Sequence, residues 1–381
     1  MISPCSLSLL SLLAASTQPF NASVVDGTLT APGAAPCYLG NTTSLLSNAI
    51  STLFSTLTPA SNLPLKNATS FYSYFSIAGT YVADTSLYLL PSVVLVFASS
   101  GASITVSPTF PGTHFVINAT NAPYSAVVAP GGPSTASILC SPDGLGPGAV
   151  LSAQSTGFVV DGLRIVGCGG TAGSAIHVRG MPFATGGEVA NCVILDSRGR
   201  AVWTETCTGI AIHNNFINNT VSHTIDQDAY SSNVVVYNNT IAWSAEEAVF
   251  IEQGATNIIV IDNDIGPGNS CGIGIYNNDF PKVTASHVIM RNRIFGCSRQ
   301  GISTGSGPHQ EGLPAMGVII AGNQMWDNNG TGIRANGNQM GTLYFSNDDA
   351  DGLQASMLNN GVTAKNISFT DPNDRVKIGS K

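Results

Sequence analysis

From about residue 71 the chain reads as short apolar runs broken by Gly, Pro, Asn and Ser, as in GTYVADTSLYLLPSVVLVF, which is a strand-and-turn pattern. Ahead of it, SLLSNAISTLFSTL at residues 44–57 sets Leu45, Leu46, Ala49, Ile50, Leu53, Phe54 and Leu57 on one helical face. That spacing predicts a single amphipathic helix.

Between residues 158 and 335 the apolar runs fall into register. One column reads Val160, Val189, Ile212, Val236, Val260, Ile289, Ile320. Five residues later a second reads Ile165, Ile194, Ile217, Ile241, Ile265, Ile294, Met325, and a third reads Ile176, Val202, Ile225, Val249, Ile273, Ile302, Ile333. The second and third columns lie eight residues apart in six of the seven repeats, while the repeat length varies from 23 to 31, so insertions fall in one loop region. Self-similarity at this period predicts a solenoid whose repeats stack into parallel sheets, because no single repeat can bury its apolar side alone.

Asn215, Asn239, Asn263, Asn292 and Asn323 stand two residues before the second column, one per coil. Turns between strands need tolerance of the left-handed region and side-chain amide hydrogen bonds, so this row is expected to be structural.

With VVVYNNTI, IIVIDNDI and HVIMRNRI as its repeats, the sequence resembles the right-handed parallel β-helix of pectin-lyase-like proteins over about residues 70–345. The resemblance implies an all-β fold, a right-handed parallel β-helix, with the helix before it acting as an N-terminal amphipathic capping helix. The expected organisation is a signal peptide at 1–16, an N-terminal segment with the capping helix at 17–70, the β-helix at 71–345, and closing strands with a polar tail at 346–381. Such a fold does not by itself fix an activity.

Composition narrows the partners. The chain of 381 residues carries 14 Lys+Arg against 22 Asp+Glu, a net charge of -8, and no basic stripe, which argues against nucleic acid as a partner. MISPCSLSLLSLLAAS has the apolar run and small residues of a secretory signal, although without Lys or Arg ahead of it, and no run is long enough to span a bilayer. A secreted, extracellular protein is therefore expected. Eight Asn-x-Ser/Thr sequons, at Asn21, Asn41, Asn67, Asn118, Asn218, Asn238, Asn329 and Asn366, offer glycan acceptors. Seven cysteines follow the signal; an odd number leaves at least one thiol outside intrachain pairs, and no metal-binding CxxC spacing exists.

The candidate chemistry lies on the third strand. If Ile225 points inward, period-2 alternation sends Asp226 and Asp228 outward and Gln227 in. Applied to neighbouring coils, the rule gives an outer column Arg179, Glu205, Asp228, Glu252, Tyr276, with Trp203, Asp226 and Phe250 beside it. Acids spaced by the strand separation of about 4.8 Å repel one another and raise at least one pKa, which a general acid needs. Aromatic rings beside carboxylates suit a sugar face.

The expected catalytic residues are therefore Asp228 as nucleophile or base, Glu252 as acid, Asp226 tuning the pair, and Glu205 beside them. Trp203 and Tyr276 are expected as sugar platforms, with Arg179, His177 and His223 as further substrate contacts. Two positioned carboxyls suffice for glycoside hydrolysis, either retaining or inverting. What the resemblance implies also includes a polysaccharide lyase or C5-epimerase acting on a polyuronate, with Ca²⁺ held by Asp226, Asp228 and Glu252, and a non-catalytic carbohydrate-binding or structural protein. The Asp-Pro-His-Glu run of alginate C5-epimerases and the Gly-His-Gly of polygalacturonases are both missing, and Arg375-Val-Lys377 falls in the polar tail. A glycosidase that needs no cofactor is the favoured expectation, with a polysaccharide or oligosaccharide as partner.

Overall fold

The computed structural model describes residues 21–30, 37–38, 40–54, 73–140, 146–276, 284–305, 317–329, 332–335, 343–345 and 348–349. The expected signal and all but two residues of the expected C-terminal tail lie outside them. Two units divide the chain, residues 1–198 and 199–381, and each is built from coils of short parallel strands.

In the first unit, Asn21–Val25 turns back on Thr28–Thr30 through Asp26 and Gly27, both with positive φ (43° and 76°), as a two-residue Asp-Gly hairpin requires. Asn21–Val25 then pairs in parallel with Ser73–Ala83, and Ser73–Ala83 with Val93–Val106. The helix runs Thr43–Phe54 and buries Leu46, Ala49 and Ile50. Its first turn is capped from the following coil: Ser44 donates its backbone N–H (2.9 Å) and its hydroxyl (2.6 Å) to the Asp84 carboxylate. Burial pushes Asp84 up, but these bonds and that of Thr43 outweigh it and hold the carboxyl below its ordinary range. Residues 55–57 of the expected helix lie outside the described residues. Val160 pairs with Val189 and Ile165 with Ile194, and a disulfide joins Cys140 to Cys168.

In the second unit the three apolar columns are the interior. Ile212, Val236, Val260, Ile289 and Ile320 are successive ladder partners, as are Ile217, Ile241, Ile265, Ile294 and Met325. So are Val202, Ile225, Val249, Ile273, Ile302 and Ile333. All twenty-one column positions of the chain are exposed by 3% or less. This is a right-handed parallel β-helix. Burial of each such side chain contributes roughly 1.5–3 kcal/mol, which accounts for stability arising only from the stack.

The asparagine row is a hydrogen-bonded ladder. Asn215, Asn239, Asn263 and Asn292 each donate Nδ2 to the Oδ1 of the next, at 2.9, 3.0, 2.9 and 3.0 Å, ending on Asn323. The left-handed residue of each turn is the one before it: Asn214, Asn238, Asp262 and Arg291 have φ of 56°, 52°, 57° and 53°, and Gly322 has 62°. One position thus supplies the backbone bend and the next supplies the amide, two tasks expected of a single residue. Among the described residues no helix is long and apolar enough to cross a membrane. The thiols of Cys192, Cys207, Cys271 and Cys297 are buried and form no disulfide among the described residues.

Candidate functional site

The strand Ile225–Asp228 lies between Arg200–His213 and Val249–Ile251, all in the second unit. Asp226 faces Trp203 on one side and Phe250 on the other, and Glu205 faces Asp228. The Glu252 N–H donates to the Gln227 carbonyl at 3.0 Å, which carries the row on by one coil. One carboxylate oxygen from each of Asp226, Asp228 and Glu252 lies within 4.8 Å of the others. The coil register therefore brings together the acids chosen from the sequence.

Their surroundings differ from the open acidic wall that alternation suggested. Asp226 is 0% exposed, Glu252 5% and Asp228 6%, with Glu205 and Trp203 half-buried. The reason is lateral. Period-2 alternation states that a side chain leaves the interior, not that water reaches it, and here Asp226 has the large side chains of Trp203 and Phe250 as its neighbours on the two adjacent coils. Glu205, Asp228 and Glu252 are each followed by a residue in the left-handed region, Thr206 (φ 55°), Ala229 (39°) and Gln253 (51°), so the chain turns sharply just after these carboxylates. Such backbone at a non-glycine residue costs on the order of 1 kcal/mol or more and is characteristic of constrained sites.

Arg200 is the residue that the alternation rule missed. Its Nε forms an ion pair with Asp226 Oδ2, and its guanidinium lies 4.3 Å above the Trp203 ring. It sits at the entry to its strand, where alternation has no force, and only the register offset from Val202 marks it as a neighbour of the acidic coil.

Burial pushes Asp226 up to about 6, against the opposing charges of Arg200 and His223. Burial also raises Asp228, whose carboxylate accepts from the Ala229 N–H at 2.6 Å and from Trp203 Nε1 at 3.3 Å. Gln227 points inward as expected and is fully buried; its Oε1 accepts from Thr204 Oγ1 at 2.6 Å.

Tyr276 does not stand open as a platform. Gly274, its neighbour but one, leaves a gap in the outer column, and the Tyr276 ring folds across it onto Phe250 with centroids 5.6 Å apart. A methyl group on Gly274 would meet Tyr276 Cε2 and Glu247 Cγ at 2.8 Å each. Among the other expected contacts, His223 stacks on Phe250 at 4.1 Å. His177 and Arg179 belong to the first unit, where His177 is buried 6.1 Å from the Phe115 ring centroid and Arg179 is exposed.

Asp226, Asp228 and Glu252 offer the hard oxygen donors that Ca²⁺ takes. Arg200 pairs with Oδ2 of Asp226, while its buried Oδ1 has no hydrogen-bond partner, so the three carboxylates remain a group that could hold a cation.

Comparison with known proteins agrees with the coil geometry. A family model described as right handed beta helix region matches residues 143–287. No curated protein matches the sequence. Among solved structures, the Dettilon tailspike protein is similar at 15% identity over 86% of this chain and 66% of its own, with a TM-score of 0.59. The tailspike protein of E. coli bacteriophage HK620, in complex with a pentasaccharide, is similar at 12% identity over 80% of this chain and 57% of its own, with a TM-score of 0.56. The chain spans less than two thirds of either structure, and at these identities the likeness is one of fold.

Proposed function

We propose that this protein is a secreted, carbohydrate-active β-helix protein and, more specifically, a retaining glycoside hydrolase acting on a polysaccharide. The observation that carries this reading is the close approach of the carboxylates of Asp226, Asp228 and Glu252, within 4.8 Å oxygen to oxygen. Retaining enzymes hold their two carboxyls about 5–5.5 Å apart and inverting enzymes about 6.5–9.5 Å, so the short spacing favours retention. The pentasaccharide bound by the HK620 tailspike supports an oligosaccharide as the ligand of this coil architecture.

In this reading Glu252 donates its proton to the glycosidic oxygen as that bond breaks, and Asp228 attacks the anomeric carbon to form a glycosyl ester. Water then adds to that carbon as Glu252 takes back a proton, and Asp228 leaves as carboxylate. The donors from Ala229 and Trp203 orient Asp228. Asp226, paired with Arg200, tunes the group without touching the sugar, and Glu205 extends the acidic row. Trp203 is the sugar platform, while Tyr276 supports Phe250.

The test is a panel of neutral and acidic polysaccharides. New reducing ends with retained anomeric configuration, lost in both Asp228→Asn and Glu252→Gln while the fold survives, are expected. An ultraviolet-absorbing unsaturated product would establish a lyase instead, and binding without any product would establish a non-catalytic protein.

A further inference from the structure

Hydrolysis as described leaves a second titratable group unused. Arg200, His223, Glu247 and Cys271 stand two residues before the inward Val202, Ile225, Val249 and Ile273, so they occupy successive coils at the entry to the third face. The His223 ring lies nearly flat on Phe250, with planes 18° apart. Its Nδ1 is 3.1 Å from Glu247 Oε2 and its Nε2 is 3.4 Å from Glu246 Oε2. These are ion-pair contacts, since Nδ1 makes no well-aligned hydrogen bond. Ser270 donates to Glu247 Oε1 at 2.9 Å and Ser222 to Glu246 Oε2 at 2.7 Å, which fixes both carboxylates.

A neutral imidazole carries one N–H and one lone pair, so it would turn a lone pair toward one of these carboxylates. Only the imidazolium satisfies both sides. The groups facing His223 are Glu246 and Glu247 from the following coil, Asp226 from its own and Arg200 from the preceding one, with the buried Cys271 thiol beyond Glu247. We propose that His223 is a positioning residue, held as an imidazolium by Glu247 and Glu246 and fixing the Phe250 ring on which it stacks, opposite Asp226 in the ladder.

The electrostatics agree in sign. Burial is the largest influence on His223 and pulls its pKa down, but the contact with Glu247 and the charges of Asp226, Glu247 and Glu246 together raise it. Glu247 is raised by burial and lowered by more through His223, its own N–H and Ser270. Any effect on turnover rests on the hydrolase reading; the charge held on His223 does not.

The test is a pH titration of the full chain by NMR, with labelled ring carbons on its six histidines. His223 is expected to titrate above the ordinary histidine value of about 6.5. Glu247→Gln should increase its proton dissociation at least tenfold, and Glu246→Gln should do so less. A His223 midpoint at or below the ordinary value, or one unmoved in Glu247→Gln, overturns the proposal. Should the charge-removing variants unfold, Ser270→Ala frees Glu247 without removing a charge, and absence of a downward His223 shift there counts equally against it. A purely structural pair would lower the melting temperature in these variants and leave the midpoints in place. Because the midpoints are read without substrate, they hold or fail independently of hydrolysis.

Discussion

Arg200 and Asp226 are joined across two adjacent coils, with the guanidinium bound to the Asp226 carboxylate and spread over the Trp203 ring. The carboxylate is fully buried while the arginine side chain is 24% exposed. One residue thus supplies charge to the acidic group and covers an aromatic face.

Replacing Arg200 by Gln should be costly. Removing one partner of a buried pair usually costs about 3–5 kcal/mol, and the partial exposure of the arginine reduces this to roughly 2–4 kcal/mol at pH 7. Urea unfolding should show that loss, with much of it recovered at pH 5, where Asp226 takes up a proton.

Asp226 should leave a signature in the pH dependence of stability. Its folded pKa, about 6, lies above the value of an unfolded aspartate, so the native state holds this proton more tightly. Its contribution is therefore present at pH below about 4 and is lost as pH rises to about 6, a change on the order of 2–3 kcal/mol. Asp226→Asn should flatten that segment of the stability curve. An unchanged slope would show that Asp226 is not the titrating group.

Chelation separates the arginine-balanced site from a calcium site. Hydrolysis and melting temperature are expected to be unaffected by a metal chelator. If added Ca²⁺ raised the melting temperature by several degrees, binding to the native state would be established by linkage, and a polyuronate lyase would become the better reading.

The asparagine ladder should weaken by position. Asn263 donates to Val236, Ile261 and Asn292 and accepts from Asn239, so Asn263→Ala leaves several buried groups without partners. A loss of about 3 kcal/mol or more is expected there by denaturant unfolding, and roughly half as much for Asn215→Ala at the end of the row.

Much of this was legible in the sequence. The columns through Ile225 and Val249 follow from apolar periodicity, because interior positions in a stack have no alternative use. The neighbouring of Glu205, Asp228 and Glu252 follows from counting along those columns. What counting does not convey is the third dimension of the outer surface. The burial of Asp226 depends on ring sizes at Trp203 and Phe250, the folding back of Tyr276 on the missing side chain at Gly274, and the Arg200 pair on a turn where periodicity stops. Those are packing relations between coils, and a single strand does not encode them.

The spread in repeat length has a further meaning once the coils are laid out. The steps from Ile212 to Ile217 and from Ile217 to Ile225 keep their lengths in the coils after them, so the added residues after Ile273 and Ile302 fall past the strands Ile273–Tyr276 and Ile302–Gly305. That is the rim where, on earlier coils, Asp228 and Glu252 end their runs. Lengthening a connection between strands costs little in closure entropy. Length can therefore vary just past the strands that carry the carboxylates while the asparagine spine goes untouched.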